Sequence, residues 1–156
     1  MKLTHFQSNE LLGCMKEQLS IPSIQQIRTG SVEEAIVRAT KEGNFEFVFE
    51  MVKADPHLVW SCDAESSNIF SVAVRYRRAK IFGLIYGSYR KISLAGAVDS
   101  TYGNTLLHMA GMSAPSTSLD HIAGAALQMQ RELQWFKVIF LTFNFLVFYL
   151  LAICYT

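Results

Sequence analysis

The fold of this 156-residue chain is decided by one stretch of sequence, which reads Asp99-Ser100-Thr101-Tyr102-Gly103-Asn104-Thr105-Leu106-Leu107-His108-Met109-Ala110. Gly103 stands where a tight turn requires a positive φ, and Asp99 opens that turn. Thr105 is placed to cap the following helix through its hydroxyl group. Three side chains of that helix then face a neighbouring unit at helical spacing, namely Leu106, Leu107 and Ala110. The stretch predicts a turn and a short helix that packs closely through a small side chain.

A related pattern occurs twice earlier in the chain. Ala39 and Ala73 each begin a pair of short helical patterns, and the alanines, Ala110 included, are 34 and 37 residues apart. Asp63 precedes the middle unit as Asp99 precedes the last. One such unit cannot bury its apolar face alone, so we expect three units to stack. The sequence therefore predicts an all-α helical solenoid of about three degenerate repeats over 31–118, after an N-terminal segment over 1–30.

Two signals suggest where the helices of the first unit begin and end. Ser31 to Glu34 reads Ser-Val-Glu-Glu, a capping box that predicts a helix start at Ser31. Asp55 followed by Pro56 predicts the end of the second helix, because the residue before a proline is disfavoured in the helical conformation.

Composition and motifs exclude several classes of function. The formal net charge of +1 lacks the strong positive excess of a nucleic-acid binder. The sequence contains no dinucleotide-binding, phosphate-binding, zinc-protease or serine-hydrolase motif. We therefore expect no enzymatic activity, no catalytic residue, no metal, no cofactor, no nucleic acid and no small-molecule substrate.

At this point the sequence resembles a known family. The stretch from Asn104 to Ala110 resembles the Thr-Pro-Leu-His-x-Ala core of an ankyrin repeat, with Leu106 in place of proline. Residues 69–74, 82–86 and 125–137 resemble the plant membrane-associated ankyrin proteins, whose C-terminal membrane domain is named for a Pro-Gly-Gly motif that is absent here. The resemblance implies an ankyrin-type solenoid that acts in stress or defence signalling, at the plasma membrane. It also implies that His108 is the structural histidine of its repeat, and Ser71 stands in that place in the middle unit.

An ankyrin-type solenoid binds partners through the concave surface that its turns and first helices form. The protein partner itself is not identifiable from the sequence. The candidate partner-binding residues are Asp63, Ser67, Asp99, Tyr102 and Asn104.

Charge is unevenly distributed along the repeats. Basic residues occur without any acidic one from Ser66 to Val98, whereas eight acidic residues stand against three basic ones from Ser31 to Glu65. One interpretation is an ordinary solvated face, and the other is a basic patch that meets anionic lipid or an acidic partner. The members of this basic patch are Arg75, Arg77, Arg78 and Lys80.

The C-terminal region divides into two predicted helical segments. Residues 119–137 form an amphipathic pattern whose apolar face comprises Leu119, Ile122, Ala123, Ala126, Leu127 and Leu133. Residues 138–155 are uncharged and apolar, which predicts a tail helix that spans a membrane and leaves the repeats in the cytosol. A buried helix or an aggregation-prone strand is the alternative structure. The alternative function is that of a soluble or non-functional truncated fragment of a longer ankyrin membrane protein, with the tail translated from a retained intron.

Overall fold

The structure is a computed structural model that describes residues 10, 12–15, 17, 25–63, 67–87, 93, 96–99, 102–115 and 124–154. Within these ranges the regular secondary structure is helical. Strand-like pairing among them is limited to one isolated antiparallel bridge between Cys62 and Asn68. The prediction of an all-α fold is therefore confirmed for the described part of the chain.

Among the described residues, six α-helices form the packed part of the fold and are numbered here in chain order. They are α1 (Gln25–Glu42), α2 (Phe45–Ala54), α3 (Ile69–Arg75), α4 (Ala79–Phe82), α5 (Leu106–Gly111) and α6 (Ala125–Cys154). Two short 3-10 helices, Pro56–Trp60 and Gly83–Gly87, follow α2 and α4.

The helices of successive units stack on one another. Helix α1 packs on α3 and α3 packs on α5, while α2 lies beside α4 and α6 lies on α5. The three alanines that marked the pattern, Ala39, Ala73 and Ala110, are all buried along this stack. A methyl side chain permits close approach of helix backbones, so their burial explains why small residues recur at this position.

Local capping explains several helix ends. The side chain of Asn44 accepts a hydrogen bond from the backbone N–H of Phe47 at the start of α2. Asp55 ends α2, and its carboxylate accepts from the N–H of His57 to begin the next 3-10 helix at Pro56. The predicted stop at Asp55 and Pro56 is therefore confirmed.

The predicted helix start at Ser31 is wrong. Helix α1 begins at Gln25, so Ser31 lies inside it and the helix crosses the predicted boundary between residues 30 and 31. A Ser-x-x-Glu pattern is also compatible with a helix interior. The helical cost of Gly30 relative to alanine is only about 1 kcal/mol, which does not suffice to end a helix that packs on its neighbours.

The described parts of the two predicted C-terminal segments form a single helix. Helix α6 contains 30 residues and passes through the predicted boundary at 137 and 138 without interruption. It packs on the last repeat and also continues into the apolar segment. Residues 116–123, which include Leu119, Ile122 and Ala123, lie outside the described residues, as does residue 155.

The predicted apolar face of this helix is also wrong where it can be examined. Ala126, Leu127 and Leu133 are exposed. The face that turns toward the repeats recurs at intervals of three or four and comprises Gln128, Glu132, Trp135, Ile139 and Thr142. The side chains of Glu132, Trp135 and Thr142 on this face bond to residues outside α6, so hydropathy alone indicates the wrong side.

Candidate functional site

The turn before α5 is built around one buried carboxylate. The Asp99 side chain accepts hydrogen bonds from the N–H groups of Tyr102, at 2.5 Å, and Asn104, at 3.1 Å. Its backbone N–H donates to the Asn104 carbonyl at 3.0 Å, and its carbonyl accepts from the Gly103 N–H at 3.1 Å. Gly103 has a φ of 69°, a left-handed conformation that glycine adopts without strain. Asp99 therefore shapes the turn from inside and does not present its carboxylate to a partner.

The equivalent turn of the preceding unit uses the same arrangement. The Asp63 carboxylate accepts from the Ser67 N–H at 3.0 Å, and the Asp63 N–H donates to the Ser67 carbonyl at 3.1 Å. Lys41 also approaches this carboxylate, at 3.8 Å between Nζ and Oδ2. Ser67 is buried. Asp63 and Ser67 thus hold the turn together, while residues 64–66 at its tip lie outside the described residues.

Among the five predicted partner-binding residues, Tyr102 is exposed to solvent and Asn104 is partly so. Tyr102 is 73% exposed at the tip of the Asp99 turn, and Asn104 beside it is half-buried. The turn hydrogen bonds fix the backbone that carries both side chains. This arrangement presents an aromatic ring on a rigid support.

The helix after this turn is capped as its sequence predicts. The Thr105 hydroxyl lies 3.5 Å from the donating N–H of His108, and His108 Nδ1 accepts from the Thr105 N–H at 3.1 Å. These two contacts form a reciprocal capping box at the start of α5. Leu106 and Ala110 are buried, and Leu107 is partly buried against the core. His108 therefore has a structural contact across the helix start.

The predicted basic patch is divided by the structure. Lys80 is exposed on α4, and Arg75 is half-buried in the last turn of α3. The side chains of Arg77 and Arg78 turn into the protein, toward opposite neighbours. The four residues therefore do not form one common solvent-exposed surface.

Arg78 caps the end of α1. Its Nε and Nη2 atoms donate to the Lys41 carbonyl at 2.9 and 2.7 Å. Its side chain lies over Gly43, where an added Cβ would meet the Arg78 Cδ at 2.9 Å. Because carbonyls at a helix C-terminus lack partners within the helix, a guanidinium placed there satisfies them and complements the helix dipole.

Arg77 makes the corresponding contacts at the end of α5. Its Nη2 atom donates to the Met112 carbonyl at 2.6 Å and approaches the Ala110 carbonyl at 3.5 Å. The backbone at Arg77 is left-handed, with a φ of 59°. The Arg78 N–H donates to the Ala73 carbonyl and the Arg77 N–H to the Val74 carbonyl, at 2.8 and 3.2 Å. These two backbone hydrogen bonds form a Schellman motif that ends α3. The adjacent side chains then extend in opposite directions, Arg77 to the end of α5 and Arg78 to the end of α1.

Arg77 also attaches α6 to the repeats. Its Nε and Nη2 atoms donate to the two carboxylate oxygens of Glu132, at 2.9 and 2.5 Å. The Arg77 hydrogen bond is the main reason that the pKa of Glu132 lies below its usual value, opposed by desolvation and aided by the charge of Arg77. The hydrogen bond and the charge of Arg77 therefore outweigh the effect of burial and favour the ionised carboxylate at this junction.

Two more contacts extend this junction along α6. The Trp135 indole N–H donates to the Val74 carbonyl at 3.1 Å, and its ring meets Phe82 edge-on with centroids 6.3 Å apart. Further along, the hydroxyl groups of Tyr86 and Thr142 are 2.7 Å apart, and Ile139 between these contacts is buried. We refer to this set of contacts, made by Glu132, Trp135, Ile139 and Thr142, as the α6 junction.

Sequence patterns did not indicate the α6 junction. Arg77 and Glu132 are 55 positions apart, and neither lies on an apolar stripe. Asn68 was also missed, although its side chain caps α3 by accepting from the N–H groups of Phe70 and Ser71. Its position 37 residues before Thr105 was the signal that could have identified it.

The rest of α6 presents apolar side chains to solvent. Between Leu127 and Phe148 most large apolar side chains on the helix are more than one third exposed. Among the helices that the structure describes, none is both long and apolar enough to cross a bilayer. In the same part of the chain, no group of His, Cys, Asp and Glu side chains could hold a metal ion.

Comparison with known proteins adds no relative to this picture. No protein-family model, no curated protein and no solved structure matches the chain significantly.

Proposed function

We propose that the chain is an ankyrin-type repeat module that binds a protein partner through its turns, and that the apolar part of α6 attaches it to a membrane. The repeats then lie on the cytosolic side. The resemblance to plant ankyrin membrane proteins suggests a role in stress or defence signalling at the plasma membrane. The observation that carries the binding proposal is the exposed ring of Tyr102 on a turn fixed by Asp99.

The rigidity of the turn supports this proposal. Binding costs free energy when loops or side chains must be ordered, and a turn already held by four hydrogen bonds avoids most of that cost. Tyrosine is enriched among the residues that dominate protein interfaces, because its ring supplies a large contact area and its hydroxyl a hydrogen bond. Tyr102 therefore supplies an anchor and Asn104 a polar contact beside it.

Membrane attachment is supported by a different observation. Contiguous exposed apolar surface is uncommon on a monomeric soluble protein and marks interaction with proteins or membranes. The outward side chains Leu141, Phe145 and Phe148 are of this kind.

The same exposed surface supports the alternative function of a truncated fragment. Exposed apolar surface on the described part of α6 is also an aggregation liability. A fragment would be soluble or would aggregate when expressed, whereas an attached module would distribute to membranes. Fractionation of cells that express the full chain therefore separates the two functions.

Substitution at the turn tests the binding proposal. Affinity purification is carried out with the wild-type chain and with Tyr102→Ala. Two variants serve as controls: Tyr102→Phe retains the ring, and Phe49→Ala removes an exposed aromatic ring on α2. We expect Tyr102→Ala to weaken binding of the captured partner at least ten-fold, measured with purified components, and the two controls to change it by less than three-fold. An unchanged affinity for Tyr102→Ala would contradict the proposal.

A further inference from the structure

One side of α6 combines apolar side chains in a continuous row. Val138, Leu141, Phe145 and Phe148 recur at intervals of three and four, so they share one side of the helix. Leu141, Phe145 and Phe148 are 66%, 61% and 71% exposed, and Val138 is also exposed. We call this row the outer stripe. It lies on a different side of the helix from Ile139 and Thr142, which are buried on the repeats.

The charge beside the outer stripe is positive. Helix α6 contains three charged residues, Arg131, Glu132 and Lys137. Arg131 and Lys137 are exposed, whereas the Glu132 carboxylate is turned inward and paired with Arg77. The outward charge of α6 is therefore basic and lies just before the outer stripe. An apolar row preceded by exposed basic side chains complements an anionic lipid surface.

The α6 junction restricts the orientation in which α6 can contact a membrane. A helix that spanned a bilayer over 138–155 would carry Ile139 and Thr142 into the hydrocarbon. Those residues would then lose their contacts with the repeats, including the hydrogen bond between Tyr86 and Thr142. A helix that lies in the membrane plane inserts the outer stripe and leaves the α6 junction intact.

From these observations we infer that α6 binds the surface of an anionic phospholipid membrane side-on, with the outer stripe among the acyl chains and the repeats docked above. The inference rests on the membrane attachment proposed above and specifies its lipid class and geometry. The basic side chains Arg131 and Lys137 meet the headgroups in this arrangement.

Vesicle binding tests the lipid class and the surface. The full chain is incubated with vesicles of phosphatidylserine and phosphatidylcholine, or of phosphatidylcholine alone, and the bound fraction is measured by flotation. We expect at least ten-fold tighter binding to the anionic vesicles. Leu141→Ser with Phe145→Ser should weaken that binding at least ten-fold, because both side chains lose their place in the acyl layer.

A matched control uses the same helix. Met129→Ser with Leu133→Ser removes two exposed apolar side chains outside the outer stripe, and it should change vesicle binding by less than three-fold. Circular dichroism establishes that both double variants fold. Equal losses in the two double variants would overturn the assignment of the outer stripe.

Carbonate extraction at pH 11 tests the geometry. We expect the vesicle-bound wild-type chain to be released, as an in-plane helix is held only at the surface. Binding that resists carbonate would overturn the in-plane geometry while membrane attachment stands. If the wild-type chain bound neither kind of vesicle, membrane attachment itself would be overturned. In that case, a wild-type dimer that becomes a monomer in the outer-stripe variant would show that the outer stripe binds a second copy of the chain.

Discussion

Helices α3 and α6 contact the rest of the molecule in different ways. Helix α3 has seven residues, of which Ile69 to Val74 are all buried between α1 and α5. Helix α6 is about four times as long, and the fully buried side chains among those described on it are Ile139 and Thr142. Apolar packing holds α3, whereas directional polar contacts hold one face of α6. An apolar helix is therefore not a buried helix in this chain, and the side that docks is set by its few polar groups.

The largest expected difference between α3 and α6 is in the free energy of unfolding when a phenylalanine is removed from each helix. Phe70 on α3 is 1% exposed, whereas Phe148 on α6 is 71% exposed. We expect Phe70→Ala to lower the free energy of unfolding by about 3–5 kcal/mol, because it leaves a cavity in the core. Phe148→Ala should change it by no more than about 0.5 kcal/mol. Guanidinium unfolding of both variants measures this, and comparable losses would show that α6 is packed on its outer side.

The next effect concerns the polar contacts that hold α6. Arg77→Leu removes the fork to Glu132 and the hydrogen bond to the Met112 carbonyl. We expect a loss of about 2 kcal/mol, as partly buried acceptors lose charge-assisted hydrogen bonds. Arg131→Leu is the control, because Arg131 is exposed on α6. This substitution should lower the free energy of unfolding by less than about 0.5 kcal/mol.

A double-mutant cycle assigns this loss to the ion pair. Glu132→Leu alone and combined with Arg77→Leu should reveal a coupling free energy of about 1–2 kcal/mol between the two positions. Strictly additive effects would mean that Arg77 acts through the helix ends alone. Hydrogen exchange along α6 provides a second measurement, because loss of the junction should speed exchange there first.

The repeat pattern could be predicted because its signals are local. Asp99, Gly103 and Thr105 act within a few residues of one another, so turn chemistry and capping rules locate the start of α5. Ala39, Ala73 and Ala110 recur at nearly constant spacing, and the helices that carry them, α1, α3 and α5, pack on one another in that order. The all-α class follows from the same signals.

The site residues and the C-terminal helix were harder to predict because their roles depend on tertiary packing. Polar residues in turns, such as Asp63, Ser67 and Asp99, are typical of binding surfaces. In this structure the two carboxylates accept backbone hydrogen bonds within their own turns, and Ser67 is buried. Arg77 and Arg78 are adjacent in sequence but point toward opposite neighbours, because Arg77 takes a left-handed backbone conformation. No sequence rule assigns that conformation to an arginine, since such residues occur there at a cost of about 1–2 kcal/mol. The docking face of α6 depends on the position of the Arg77 side chain, which the sequence pattern does not give.

A smaller effect tests the positive φ at the end of α1. Gly43 ends α1 with a φ of 83°, and an added Cβ would meet the Arg78 side chain at 2.9 Å. We expect Gly43→Ala to destabilise the fold by about 1–2 kcal/mol from backbone strain. Gly83→Ala is the control, since a Cβ there meets nothing within 4 Å and its φ is not positive. Equal effects of the two substitutions on thermal unfolding would mean that neither the backbone conformation of Gly43 nor its contact with Arg78 disfavours a side chain there.

The smallest expected effect is the pH dependence of the α6 junction. The hydrogen bond from Arg77 lowers the pKa of Glu132 below its ordinary value of 4.5 in the folded state. The unfolded chain therefore binds this proton more readily, and the stabilisation is fully present above the ordinary pKa. It should diminish as the pH falls below about 4.5 and disappear once the pH is below the lowered pKa of the folded state. Unfolding free energies measured between pH 7 and pH 3 should fall less steeply for Glu132→Gln than for the wild-type chain. The buried residues Ile69 to Val74 of α3 carry no titratable side chain, so they contribute nothing to this difference. Parallel pH profiles for the two proteins would mean that α6 is held by Trp135 and Thr142, and not by the carboxylate.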